Sequence, residues 1–215
     1  MKNRFDLIIF DWDGTLINSI DWIASCLQHA AVQCGQPVPE TRAAKDVIGL
    51  SINKAMQTLF PEVSHQTQEQ LVACYSQQYL SKQLSRDDLF PGVYEMLVQL
   101  NDTGYQLAIA TGKSRAGLQE ALRATGTEEL FCITRCSDET ASKPDPRMLR
   151  EIIEHTNIAK ERTLMVGDSI HDLQMAHNAH ISAIAVSCGA HSTEFLQQYN
   201  PLLCLQQPTE LLNII

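Results

Sequence analysis

The 215-residue sequence predicts an α/β fold: a mainly parallel sheet with helices on both faces, interrupted after its first strand by an all-helical segment. Three observations predict it. From Pro91 onward, short apolar runs alternate with helix-length amphipathic stretches, the pattern of successive βαβ units. An isolated apolar run, Leu7-Ile8-Ile9-Phe10, stands far ahead of them. It is continuous rather than alternating, as a strand covered on both faces must be. Between the two, residues 20–84 carry helical spacing and no convincing strand.

The elements follow in order. Ser19 is placed to cap a helix from Ile20, where Ile20, Ile23, Leu27 and Ala30-Ala31 recur at helical spacing to about Val32. Gly35, Pro37 and Pro39 punctuate the chain before a short helix from Glu40 to Ile48 that ends at Gly49. Ser51 or Asn53 opens the next, through Met56 and Leu59 to a stop at Phe60-Pro61. A longer helix spans Gln66 to Gln83, with Leu71, Cys74, Tyr75, Tyr79 and Leu80 on its apolar side.

Beyond Pro91 come a helix from Gly92 to Asn101, a strand from Gln106 to Ala110 and a helix from Ser114 to Thr125 closed by Gly126. A strand from Phe131 to Thr134 precedes a helix from Asp145 to His155, with Pro146 in its first turn where proline is tolerated. Thr163–Val166 is a strand, Ile170–Ala179 a helix and Ser182–Val186 a strand. A short helix (Glu194–Gln198), a short strand (Leu202–Leu205) and a final helix (Thr209–Ile214) close the chain. The arrangement is Rossmann-like.

Charge and composition narrow the function. A formal net charge of −9 argues against a broad nucleic-acid or anionic-membrane footprint, so neither partner is expected. An anionic substrate would need a locally positive site or a bound cation. The seven cysteines are odd in number and form no C-x-x-C, and several sit in apolar surroundings; mostly buried free thiols in a reducing compartment are expected. The N-terminal residues carry no signal-peptide apolar region, and no run approaches the roughly 18 apolar residues of a membrane span. A cytoplasmic protein, monomer or homodimer, is the expectation.

Four polar clusters sit where strands end. Asp11 and Asp13 follow the first strand directly, with Gly14 and Thr15. In an open α/β sheet, ligands bind beyond the carboxyl ends of strands, although Asp-Gly is also a common turn. Thr111-Gly112-Lys113-Ser114 follows the second strand. It is not a phosphate-binding P-loop, because that motif needs a glycine where Leu107 stands. It offers either an anion site at a helix start or a simple helix cap by Ser114. Lys143 lies between Ser142 and the pair Pro144, Pro146, as a fixed point charge for phosphate or as a surface lysine in a proline-rich loop.

Gly167-Asp168-Ser169-Ile170-His171-Asp172 follows another strand. Asp168 could be an ordinary helix N-cap. Asp11, Asp13 and Asp168 at one sheet edge nevertheless repel one another unless a cation joins them, and hard carboxylate oxygens suit Mg²⁺. The histidines form no zinc-binding spacing; His171 and His177 are expected on exposed parts of one helix, and His191 could approach the site.

With these residues in order, the chain resembles the haloacid dehalogenase superfamily of phosphohydrolases. The four motifs match as Asp11-x-Asp13-Gly14-Thr15-Leu16, Thr111, Lys143 and Gly167-Asp168-x-x-x-Asp172. The likeness covers about residues 4–18 and 86–205 and is greatest to the phosphoglycolate-phosphatase-like branch. It implies a catalytic core of residues 1–18 and 86–215 and an inserted helical cap domain of residues 19–85, hinged near Leu16–Ser19 and Ser85–Phe90.

The resemblance implies roles for each motif. Asp11 would be the nucleophile that forms an aspartyl-phosphate, and Asp13 the general acid and then base. Mg²⁺ would be held by Asp11, the carbonyl of Asp13 and Asp168, with Asp172, and less so Ser169, supporting it. Thr111 and the N–H of Gly112 would bind phosphate oxygens, Lys143 would steady Asp11 and the phosphate, and Trp12 would contribute its backbone N–H.

A carboxylate at position 13 fits phosphoryl transfer, whereas dehalogenases need no acid there. The cap loop Gly49–Lys54 would read the leaving group, with Ser51 and Lys54 as the contacts, or Ser51 serves only as a helix cap. The implied activity is a Mg²⁺-dependent phosphatase of a small phosphorylated metabolite, phosphoglycolate among the candidates. The alternatives are a sugar phosphomutase of the β-phosphoglucomutase type and a non-catalytic binding protein that keeps the fold. The mutase normally adds basic residues in the cap loop, where this chain has Lys54, with Arg42 and Lys45 earlier.

Overall fold

A computed structural model describes residues 4–215. Its centre is one six-stranded, all-parallel sheet, built from β1 (Leu7–Phe10), β2 (Gln106–Thr111), β3 (Ile133–Cys136), β4 (Thr163–Gly167), β5 (Ser182–Val186) and β6 (Cys204–Leu205). The spatial order is β3-β2-β1-β4-β5-β6. The chain thus runs outward from β1 on one side, then crosses back and runs outward on the other. That reversal falls between β1 and β4, where an open α/β sheet leaves its ligand crevice.

Side chains sort by strand alternation into two apolar layers. Ile8, Phe10, Leu107, Ile109, Leu164 and Val166 face α5 (Val93–Asp102) and α6 (Arg115–Thr125). Leu7, Ile9, Ala108, Ala110 and Met165 face α7 (Arg147–Thr156) and α8 (Ile170–Ala179). All four residues of β1 are buried, which accounts for its unbroken apolar sequence. Each such side chain contributes about 1.5–3 kcal/mol by leaving water.

Residues 20–79 form a helical insert. It comprises α1 (Ile20–Gln33), α2 (Thr41–Asp46), α3 (Ile52–Leu59) and α4 (His65–Tyr79). These helices share a separate apolar cluster built on Leu27, Ala30, Met56 and Leu71. The chain leaves and returns through one stem. The N–H of Asn18 donates to the Asp88 carbonyl at 2.9 Å, and the N–H of Phe90 to the Leu16 carbonyl at 3.0 Å. Ile17 and Leu89 pair antiparallel between them.

Several expected boundaries moved. The long insert helix stops at Tyr79 rather than Gln83: Leu80, at the rim of the cavity, is 58% exposed, and Ser81 turns its hydroxyl onto the Gln78 carbonyl. β3 runs from Ile133 to Cys136 instead of Phe131 to Thr134. As an edge strand it carries the half-buried Thr134 and Arg135, which broke the apolar pattern; Arg135 reaches Glu151 on α7 at 2.7 Å. β6 is only Cys204–Leu205, with Leu202 and Leu203 partly exposed before it. The last helix is a 3₁₀ segment, Pro208–Asn213. All seven cysteines are free, but two are buried, four half-buried and Cys132 exposed, so burial is less general than composition suggested. No helix among the described residues is long and apolar enough to cross a membrane.

Candidate active site

The chain continues from β1 straight into Asp11, whose N–H still bonds the Val166 carbonyl of the neighbouring strand at 2.9 Å. Asp11 is thereby fixed at the sheet edge, 1% exposed. Its Oδ1 accepts from Lys143 Nζ at 2.7 Å and from the Trp12 N–H at 2.7 Å. Its Oδ2 is buried with no hydrogen-bond partner. Gly14 then turns the chain at φ +79°, in the left-handed region, and any side chain there would run into the Asp168 carboxylate.

Lys143 lies at the centre of a buried ion cluster. Its Nζ also meets Asp172 Oδ1 at 2.7 Å, and the lysine side chain is fully inaccessible. Lys143 follows β3 in sequence, and its peptide bond to Pro144 is cis. Burial works against its charge, yet Asp11 and Asp172 together raise its pKa above the usual lysine value. Asp172 Oδ2 in turn accepts from the Ser169 hydroxyl at 2.6 Å and the Ser169 N–H at 3.1 Å. Ser169, not Asp168, is therefore the N-cap of α8, in a reciprocal capping box with Asp172.

This frees Asp168 for other contacts. It accepts from the Thr15 hydroxyl at 2.9 Å and from the Ala190 N–H at 2.7 Å. Burial, reinforced by the charge of Asp172, pushes its carboxyl up to about 7. Burial drives Asp11 well above the ordinary carboxylate range as well, against the pull of Lys143. Ligand oxygens of Asp11, Asp168 and Asp172 lie within 4.8 Å of one another. Three buried carboxylates in that space, one with an unpartnered oxygen, fit a hard divalent cation such as Mg²⁺.

Asp13 is held differently. Its Oδ1 accepts from the Ser19 hydroxyl at 2.8 Å, and both oxygens face Lys113 Nζ at 3.2–3.3 Å. Lys113 also reaches the Tyr79 hydroxyl, on the last residue of α4. Burial opposes the charge of Lys113, but Asp13 and Tyr79 raise its pKa overall. Sequence reasoning gave Lys113, Ser19 and Tyr79 no part in the site: Ser19 was expected to cap α1, but its hydroxyl makes no cap bond and goes to Asp13 instead, and Tyr79 was placed only on an apolar face. The signal for Lys113 was present in Thr111-Gly112-Lys113, but its partners come from the helical insert and from the first cluster.

Thr111 is buried at the end of β2 and accepts the Lys113 N–H at 3.2 Å. Gly112 lies beneath the insert loop; a Cβ there would stand 2.5 Å from the carbonyl oxygens of both Gly49 and Leu50. The loop Gly49–Lys54 thus does reach the core, but through its backbone. Ser51 caps α3 and donates its N–H to Ser142 Oγ at 2.9 Å. Lys54 is exposed on the outer side of α3, 3.4 Å from Gln57. The Trp12 N–H is turned onto Asp11 itself.

A cavity of about 280 Å³ opens between insert and core; Asp11, Asp13, Thr111, Gly112 and Lys113 line its core side. Trp12, Ser51 and Lys54 do not line it. His177 is exposed as expected, His171 is not, and His191 follows Ala190, whose N–H meets Asp168. His171 is half-buried and bonds the Asp46 carbonyl at 2.9 Å, and His191 is buried 3.4 Å from the Asp46 carboxylate, away from the cavity.

The family model described as haloacid dehalogenase-like hydrolase matches residues 8–186. The chain belongs to that family. As a member of the haloacid dehalogenase-like hydrolases it is an enzyme, and its curated relatives are phosphatases by name. The "probable phosphatase IndB" of Dickeya dadantii is 35% identical over 91% of this chain and 86% of its own length. The pyrophosphatase PpaX of Halalkalibacterium halodurans is 29% identical over 99% of this chain and 97% of its own. A solved structure called a predicted phosphoglycolate phosphatase, from Haemophilus somnus, superposes with a TM-score of 0.87 at 24% identity, covering 100% of this chain and 99% of that one. It shares the fold.

Proposed function

We propose that the chain is a Mg²⁺-dependent phosphatase that hydrolyses a small-metabolite phosphomonoester through an aspartyl-phosphate on Asp11. One observation carries the reading: Asp11 has one oxygen pinned by Lys143 and Trp12 and the other buried and unpartnered beside two more carboxylates. Buried carboxylate oxygens with a purely structural role are in the large majority hydrogen-bonded.

Asp11 Oδ2 attacks phosphorus as the ester P–O bond breaks, and Asp13 delivers a proton to the departing alcohol oxygen. Asp13 then removes a proton from the water that attacks the aspartyl-phosphate, releasing phosphate and regenerating Asp11. Ser19 and Lys113 keep the Asp13 carboxylate aimed into the cavity during both transfers. Lys143 holds Asp11 in its attacking rotamer and adds positive charge near where the phosphoryl oxygens arrive, while the Thr111 hydroxyl and the Gly112 N–H donate hydrogen bonds to those oxygens. Asp11, Asp168 and the Asp13 carbonyl would hold Mg²⁺, with Asp172 supporting them through its link to Lys143. When bound, the ion neutralises phosphoryl charge and lessens its repulsion from Asp11.

We take residues 19–85 to be the cap over a core of residues 1–18 and 86–215. Phosphoglycolate, named for the Haemophilus structure, is one candidate ester. Nothing favours a phosphomutase, since Lys54 points away from the cavity.

The test is Asp11→Asn. Phosphate release from a panel of phosphate esters with Mg²⁺ is expected to fall by at least about 10⁴-fold, as for loss of other covalent nucleophiles. Acid-quenched single turnovers of the unmodified chain should trap a phosphorylated Asp11. Release by the variant within tenfold of the parent would exclude Asp11 as the nucleophile.

A further inference from the structure

The wall of the cavity opposite Asp11 and Asp13 is neutral. The helical insert contributes Ile23 and Leu27 from α1, Leu50 and Ile52 at the start of α3, and Tyr75 and Tyr79 from α4. The two tyrosine rings stack with centroids 5.7 Å apart and planes 20° from parallel. The Tyr79 ring is already engaged, by Tyr75 and by the Lys113 ammonium 4.4 Å from its centroid, so the apolar surface open to a ligand is that of Tyr75 and the aliphatic side chains around it.

Residues 19–85 contain four Lys or Arg side chains, and none lines this cavity. Arg42 is bound to Asp46 at 2.8 Å, Lys45 to Asp21 at 2.7 Å and Lys82 to Asp88 at 2.6 Å; Lys54 reaches Gln57 outside. From the core side, Lys113 is the cation that lines the cavity, alongside the acidic Glu120. Lys113 is already engaged by Asp13 and Tyr79. A second anion on the substrate would compete for it with Asp13, the group that moves the proton. An unpaired carboxylate desolvated against this wall would be strongly disfavoured, whereas an apolar body gains by leaving water.

We propose that the leaving alcohol is neutral and apolar-bodied, preferably a ring that lies among Tyr75, Ile23, Leu27 and Ile52, and that it carries no second anionic group. The volume of about 280 Å³ sits at the small end of ligand sites and limits that body to roughly one ring with substituents. This inference rests on the phosphatase reading and narrows its substrate class, ranking phosphoglycolate and pyrophosphate low.

The experiment compares kcat/KM of the full chain with Mg²⁺ on benzyl phosphate, 2-phosphoglycolate and pyrophosphate. The first two are both esters of primary alcohols, so the same type of bond breaks. Benzyl phosphate is expected to be at least tenfold better than either other substrate. Benzylphosphonate should likewise raise Tm more than phosphonoacetate, a readout that needs no turnover. Equal or better use of 2-phosphoglycolate or pyrophosphate overturns the proposal while leaving the phosphatase intact. Absence of release from all three overturns the proposal, and absence across the whole panel of phosphate esters overturns the phosphatase reading with it. Ile52→Lys places a cation on the wall and should move the benzyl-to-glycolate ratio at least tenfold toward 2-phosphoglycolate. An unchanged ratio in a folded variant overturns the wall's role, and if the variant does not fold, the ratio of the parent chain decides.

Discussion

At the scale of the residue, the site is a problem of concentrated negative charge. Asp11, Asp168 and Asp172 are buried together, and Lys143 answers two of them. The consequence for stability has a definite sign. Asp168 titrates near 7 in the folded chain against 3.8 when exposed, so the folded state binds more protons over that interval. Its contribution is fully present below pH 4 and is lost as pH rises through 7, on the order of 4 kcal/mol at most. Asp11 acts in the same direction. His171 and His191 act oppositely. Burial lowers both, so their contribution is present above pH 6.5 and lost as pH falls through their lowered folded values. A cation binds the deprotonated carboxylates, so the gain from Mg²⁺ grows as they ionise. Thermal unfolding from pH 5 to 8, with EDTA or with MgCl₂, checks this. The difference in Tm between the two series, in which the histidines cancel, should widen with pH. A difference that narrows would exclude this cluster as the cation site.

At the scale of the element, the insert and core meet through backbone as much as side chain. Gly112 lies under the carbonyls of Gly49 and Leu50 with no room for a methyl group. Because those atoms are main chain, they cannot rotate aside. Gly112→Ala should therefore lift the insert loop away from Thr111, lowering kcat/KM by about 10- to 100-fold through misplacement of reacting groups. Amide exchange should rise in 49–55 and stay unchanged in β1 and β4. Retained activity with unchanged exchange would show that the loop is seated by other contacts.

This junction also marks the limit of what could be read from sequence. The bounds of α8 agree with the sequence reading, Ile170–Ala179, but its cap does not: Asp168 was the N-cap candidate, and Ser169 holds that place in a capping box with Asp172. Three of the four polar clusters were legible because each directly follows an apolar run; Lys143 lies seven residues beyond β3 and was marked only by its flanking prolines. Lys113 was not, since its meaning depends on Ser19, Asp13 and Tyr79 arriving from elsewhere in the chain. Ser51 was legible as a helix cap, but the direction of Lys54 depends on which face of α3 packs inward, where Ala55 and Met56 are buried.

At the scale of the whole molecule, topology gathers the chemistry and charge distribution screens what reaches it. The strand order places the ends of β1 and β4 side by side, so that Asp11 and Thr15 meet Asp168 and Asp172 from the far end of the core sequence at one sheet edge. The chain carries a formal charge of −9, and the insert's cations Arg42, Lys45 and Lys82 are each paired with carboxylates. A phosphate ester therefore approaches against a net repulsive field, and attraction begins only near Lys143 and Lys113. Salt screens the long-range part, over a Debye length of about 10 Å at 0.1 M, more than the buried contacts. At fixed free Mg²⁺, kcat/KM for a phosphomonoester is expected to rise about two- to five-fold between 20 and 200 mM KCl, with kcat changing less. The rise should appear in KM, because binding is where the field acts. A fall in kcat/KM over the same range would mean that the two site lysines and the bound cation dominate the field at the mouth of the cavity. Steering would then be local, despite the charge of the chain.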